Sequence, residues 1–165
     1  MSHAFDDLLD ANRAYADRFD TPGLTAPASR NVAVVTCMDS RIDPLAMLGL
    51  GLGDAKVIRN PGGQVTDDAL VAVVLATTLL DCTRVMVVEH TGCAMASADD
   101  AGLRQRIADA TGLDASGITP GAIGDQEQRI AADLERIRQH PLVPDSTEVA
   151  GFVYDVDTGL LRQVA

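Results

Sequence analysis

Val32-Ala33-Val34-Val35-Thr36-Cys37-Met38-Asp39-Ser40-Arg41 is the stretch that decides the fold. An unbroken apolar and β-branched run leads straight into a cysteine, an acid and an arginine. Such a run, bounded by polar turn residues, predicts a strand buried on both faces. The polar group falls where that strand stops, and open α/β sheets bind their ligands outside the carboxyl ends of their strands. A second run, Arg84 to His90, does the same and is followed by Thr91-Gly92-Cys93. Two buried strands are therefore expected to deliver Cys37, His90 and Cys93 to one end of a sheet, with Asp39 and Arg41 beside them.

Working outward, Ala4 to Arg18 reads as a helix ended by Thr21-Pro22-Gly23. Its apolar side is Leu8, Leu9, Ala11, Ala14 and Tyr15, free to pack on its own domain or on a neighbour. A short helix is expected from Pro44 to Leu48 and a strand from Lys56 to Arg59, turning at Asn60-Pro61-Gly62-Gly63. Thr66 is a good N-cap for a helix running to about Leu80, apolar nearly all round and hence buried by its own domain or by a partner. Further helices are expected over Leu103 to Thr111 and Asp125 to Gln139, and strands over Val149 to Val156 and Leu160 to Val164. The fold class that follows is α/β. A mostly parallel four-stranded sheet carries flanking helices, expected on both faces, and a C-terminal antiparallel hairpin strand. Residues 1–165 read as a single domain, with residues 1–30 as an N-terminal helix and arm.

Bulk properties narrow the function. With 47% hydrophobic residues the chain is globular; with 3% aromatics and no Trp its core must be mostly aliphatic. A net charge of −11 argues against nucleic acid and against anionic membrane surfaces as partners. No apolar run reaches the ~18 residues that span a bilayer, and Met1 to Asp10 offers no apolar signal segment. Three cysteines without such a signal fit reduced thiols and a cytoplasmic location.

Cys37, His90 and Cys93 form a three-ligand zinc set that leaves a fourth position for water, the pattern of a catalytic site. Cys82 precedes the strand that His90 ends, and about 3.3 Å per residue puts those ends roughly 20 Å apart. Cys82 is thus expected to be a packed thiol, and His3 and His140 surface histidines. Arg41 can hold Asp39 ionised and fixed in direction through a bidentate bond. Two thiolates already neutralise a zinc ion, so an additional acceptor such as Asp39 suits the activation of water. A structural zinc site without catalysis would need a fourth strong ligand, and Cys82 is badly placed to be one.

The two motifs, Cys37-Met-Asp39-Ser-Arg41 and His90-Thr-Gly-Cys93, resemble those of the β-class carbonic anhydrases. The Arg59-Asn60-Pro-Gly-Gly63 turn also resembles a turn of that family, and the likeness is close from about Asn31 to Met95. The resemblance implies zinc held by Cys37, His90 and Cys93, and Asp39–Arg41 as the dyad that orients zinc hydroxide. In some members the Asp becomes a fourth ligand in a closed state. It also implies reversible hydration of CO₂ to bicarbonate, an active site near a subunit interface, and a homodimer or a dimer of dimers. Carbonyl sulfide or carbon disulfide hydrolysis on the same scaffold is the alternative. Backbone N–H groups of Gly62 and Gly63 are candidate substrate donors. Ala26-Pro27-Ala28-Ser29 lacks the Gln that plant-like members carry there, and the absence of Trp leaves no regulatory bicarbonate pocket of the kind that uses one.

Overall fold

Six consecutive residues of β1 (Val32–Cys37) are buried, as a strand with neighbours on both sides and layers above and below must be. The computed structural model, which describes residues 4–165, pairs β1 in parallel with β2 (Ala55–Asn60) and with β3 (Arg84–His90). β4 (Glu148–Tyr154) continues the parallel sheet beside β3, and β5 (Leu161–Gln163) returns antiparallel to β4. The order is β2-β1-β3-β4-β5. Thr36 lies opposite Val88, so β1 and β3 end side by side at the edge the polar motifs occupy.

One face of the sheet is sealed by two helices. α2 (Asp67–Leu79) starts at Thr66, whose side chain accepts from the Ala69 N–H; α4 (Gln126–Arg138) starts at Asp125, which accepts from the Gln128 N–H. Ile130, Leu134 and Ile137 recur at helical spacing and are fully buried against Val35, Val85 and Val87. A Cβ at Gly151 of β4 would stand 2.1 Å from Ile130 Cγ2, so glycine is what lets α4 lie so close to the sheet.

The opposite face departs from the expected helices on both sides. Val32, Val34 and Val88 are covered there by Met47, Leu48 and Leu50, with Phe152 and Leu161 alongside. The covering segment makes only a single 3₁₀ turn, Ala46–Leu48, because Gly49, Gly51 and Gly53 follow at once. A groove of about 490 Å³ remains, lined by Val32, Met86 and Phe152 and rimmed by Arg30, Arg84 and Glu148. α1 (Asp6–Ala16) buries no residue at all. α3 (Asp100–Thr111) begins at an Asp99 cap, three residues ahead of the expected start, and buries only Leu103.

α2 is buried along one side, while Val71, Leu75 and Leu79 stand exposed on the other. β4 stops at Tyr154 because the Asp155 carboxylate takes the N–H groups of Asp157 and Thr158 into a turn. His140 is half-buried after α4, and His3 lies outside the described residues. Among those residues no helix is long and apolar enough to cross a membrane.

Candidate metal centre and its dyad

The donor atoms of Cys37, His90 and Cys93 lie within 4.8 Å of one another, and all three residues are buried. They come from the ends of two neighbouring strands and the turn after the second. Cys82 is elsewhere, in the core under α2 with its Sγ 3.8 Å from the Leu80 carbonyl, as the strand-length argument requires.

The imidazole is oriented for ligation. Nδ1 of His90 lies 2.9 Å from the Thr91 carbonyl oxygen, which can only accept, so the ring proton sits on Nδ1. Nε2 is left with its lone pair, buried and without a hydrogen-bond partner. A buried polar nitrogen without a partner is costly, and a cation held between it and the two nearby sulfurs would satisfy it.

The thiols agree. Burial alone would push Cys37 up, but the facing His90, when protonated, and the Asp39 and Gly62 amides bring it down to about 7. Burial pushes Cys93 up, and the nearby Cys37 adds to this. Two thiolates this close are strained without a positive charge, and a divalent ion relieves both. Two S and one N donor suit a soft or borderline metal. These residues can therefore hold a metal ion.

Asp39 stands at the mouth in a bidentate pair with Arg41: Oδ1 accepts from Nε at 2.9 Å, and Oδ2 from a terminal guanidinium nitrogen at 2.8 Å. The Arg41 backbone N–H adds a third bond to Oδ1 at 2.9 Å. Together they hold the Asp39 carboxyl well below the usual carboxylate range. Oδ2 lies 3.9 Å from His90 Nε2, beside the metal position. Arg41 also donates to the Gly92 carbonyl at 3.1 Å and so ties the dyad to the turn that carries Cys93.

A cavity of about 370 Å³ opens here, lined by Cys37, Asp39, Arg41 and Cys93 and by the apolar Met38, Pro61, Ala94 and Met95. The Gly62 N–H is directed at Cys37 Sγ, 3.3 Å away, so that expected substrate donor serves the sulfur. Gly63 packs on the strand ends: a Cβ there would meet Cys37 N and Val88 O, each at 2.8 Å.

Several residues hold the site through bonds that the local sequence does not announce. Arg59 donates to the Cys37 carbonyl at 2.9 Å and to that of Asp39 at 2.7 Å. Gln126, at the start of α4, donates to the His90 carbonyl at 2.9 Å. Gln64 donates to Pro61 O and Gly121 O. Behind His90, Glu89 is fully buried with no partner on either oxygen, and burial pushes its carboxyl up to about 8.

Comparison with known proteins places this arrangement. A family model described as carbonic anhydrase matches residues 32–161. Beta-carbonic anhydrase 1 of Mycobacterium tuberculosis is 38% identical over 96% of both chains. A carbon disulfide hydrolase of Acidithiobacillus thiooxidans is 31% identical, covering 82% of this chain and 78% of its own. Among solved structures, carbonic anhydrase from Streptococcus mutans superposes with a TM-score of 0.91 at 34% identity, over 100% of this chain and 99% of its own.

Proposed function

The chain belongs to the β-carbonic anhydrase family, and from that premise we propose that it catalyses the reversible hydration of CO₂ to bicarbonate with zinc on Cys37, His90 and Cys93. The observation that carries this reading is the close group of two sulfurs and one unpartnered imidazole nitrogen with the Asp39–Arg41 pair at its side. Zinc, when bound, supplies the Lewis acidity that makes water a nucleophile near neutral pH. Asp39 Oδ2 accepts a hydrogen bond from the reacting water and fixes its direction. Because Arg41 keeps that carboxylate ionised, Asp39 orients the proton and does not store it. Met38, Pro61, Ala94 and Met95 give a small apolar substrate a dry wall.

The experiment is a side-by-side rate measurement on one zinc-loaded preparation with CO₂, carbonyl sulfide and carbon disulfide. The highest catalytic efficiency is expected on CO₂; a higher one on either sulfur compound overturns the choice of substrate. About one zinc per chain is expected. Ala at position 37, 90 or 93 should lose it, and Cys82→Ala should keep it. Cys37 sits at about 7 and Cys93 is held up by burial, so both give up protons to a metal. Zinc affinity should therefore rise with pH through neutrality, and calorimetry in buffers of different ionisation heat would count the protons released.

The assembly we infer is a homodimer or a dimer of dimers in the cytoplasm, with α1 and the arm after it lying on a second copy of this single-domain chain. Support comes from Leu8, Leu9 and Tyr15 of α1, from Leu79 of α2 at 68% exposure, and from the uncovered groove on the sheet. A monomer by light scattering at micromolar protein would refute it.

A further inference from the structure

We propose that Gln64 is a positioning residue for the Cys37 sulfur, its side-chain amide fixing a peptide group, that of Gly62, which points a hydrogen at that sulfur. The inference rests on the reading of Cys37 as a metal ligand.

The geometry is a chain of hydrogen bonds through a single peptide unit. Gln64 Nε2 donates to the Pro61 carbonyl oxygen at 3.2 Å. That carbonyl belongs to the Pro61–Gly62 peptide, whose own N–H donates to Cys37 Sγ at 3.3 Å. A donor on the oxygen of a peptide polarises it and strengthens the bond its N–H makes at the other end. The second hydrogen of Nε2 goes to the Gly121 carbonyl at 2.7 Å, so the amide cannot rotate away from Pro61 without losing a second partner.

Gln64 is itself held. Its backbone N–H donates to Asn60 Oδ1 at 2.9 Å, and its carbonyl accepts from Asn60 Nδ2 at 2.7 Å. This reciprocal clamp folds the side chain back over the turn, where it is 4% exposed. Gly62 has φ +85, and a Cβ on it would meet Gln64 Nε2 at 2.9 Å and Ile123 Cδ1 at 2.7 Å. The positive φ is what calls for glycine, and the missing side chain lets the amide lie directly against the turn.

The N–H withdraws electron density from the thiolate and would leave a metal bound there a stronger Lewis acid, while the clamped turn presets where the sulfur stands. Losing the Gln64 amide frees the peptide to tilt, weakens the N–H···S bond and makes the sulfur more electron-rich.

The alternative is a purely structural amide that anchors the loop before α4 through Gly121. Two variants separate the roles. Gln64→Met keeps length and removes both donors. Ile123→Ala loosens the same loop and leaves the amide in place. In Gln64→Met the turn no longer holds the sulfur preset, and that loss of positioning should lower zinc affinity, measured against a chromophoric chelator, about 10- to 100-fold. The sulfur-to-cobalt charge-transfer band of the cobalt-loaded protein should move to lower energy. Ile123→Ala should lower the melting temperature and leave the band where it is. Wild-type zinc affinity and an unmoved band in Gln64→Met overturn the proposal, as does the same band shift in Ile123→Ala. Should Gln64→Met fail to fold, the wild-type protein decides by NMR. Scalar couplings across the hydrogen bonds are expected from the Gln64 side-chain nitrogen to the Pro61 carbonyl carbon, and from the Gly62 amide proton to cadmium in the cadmium-loaded protein. Their absence overturns the proposal. A wild-type chain that takes up no metal overturns the ligand reading, and this inference with it.

Discussion

In front of His90 lies Asp39; behind it, one residue earlier on β3, lies Glu89. The two carboxyls flank one imidazole in opposite surroundings. Asp39 has three bonds from Arg41 at its mouth position and stays charged far into acid. Glu89 has no partner on either oxygen, under α4 beside Asp133, Arg129 and Gln126, and burial keeps its proton on to about pH 8. Residue type therefore says little about role; partners and burial divide the work, with charge in front and a neutral acid behind.

The comparison is broken most directly by removing the charge in front. Asp39→Asn keeps the shape and loses the acceptor, so turnover should fall about 10²-fold or more with zinc retained. Glu89→Gln should leave turnover near wild type. Comparable losses in both variants would mean that the front acid has no special place.

Next in size comes Gly63→Ala. The left-handed φ of +72 and the backbone atoms at 2.8 Å leave a methyl nowhere to go. Denaturant unfolding should register a loss of about 2 kcal/mol or more. Full stability would contradict the packing of that turn on β1 and β3.

Glu89→Gln sharpens the rear half. The folded chain keeps a proton that the unfolded chain releases near 4.5, so stability should fall as pH rises from there to about 8. Gln carries no such proton, so the variant should melt higher than wild type in alkaline buffer and with a flatter pH dependence. Parallel profiles for the two proteins would mean that Glu89 is ionised in the fold.

The smallest effect is expected from Arg41→Lys, which keeps the charge but cannot make the bidentate pair and reach Gly92 O together. A loss of about tenfold in kcat, without a change in zinc content, is the expected result. Wild-type kcat would mean that a point charge beside Asp39 suffices.

The sequence made β1 and β3 legible because buried parallel strands are unbroken apolar runs, and the site motifs because they sit where those runs end. Thr66 announced its helix by capping, and Ile130, Leu134 and Ile137 announced α4 by their spacing. Asp99 caps α3, but it sits in an acidic stretch that reads as solvated surface, so the sequence places that start later than the structure does. The bare second face was not legible. Apolar residues all around α2 reveal that it is covered and not by what, and the glycines after Leu48 limit the facing segment to one turn. The long-range bonds of Gln64, Arg59 and Gln126 were not legible for another reason. Their partners Gly121, Cys37 and His90 lie 57, 22 and 36 residues away, distances at which periodicity and turn chemistry carry no information.

Cys82 gives the molecule a clock. All three thiols are buried, two at the candidate metal position and one beneath α2 near the far end of β3. A thiol-reactive dye reaches the first two when the metal leaves and the third only when the core itself opens. Labelling the holo-protein under native conditions would thus time two separate events in one tube: the lifetime of the metal, and the rate at which the sheet and α2 part company.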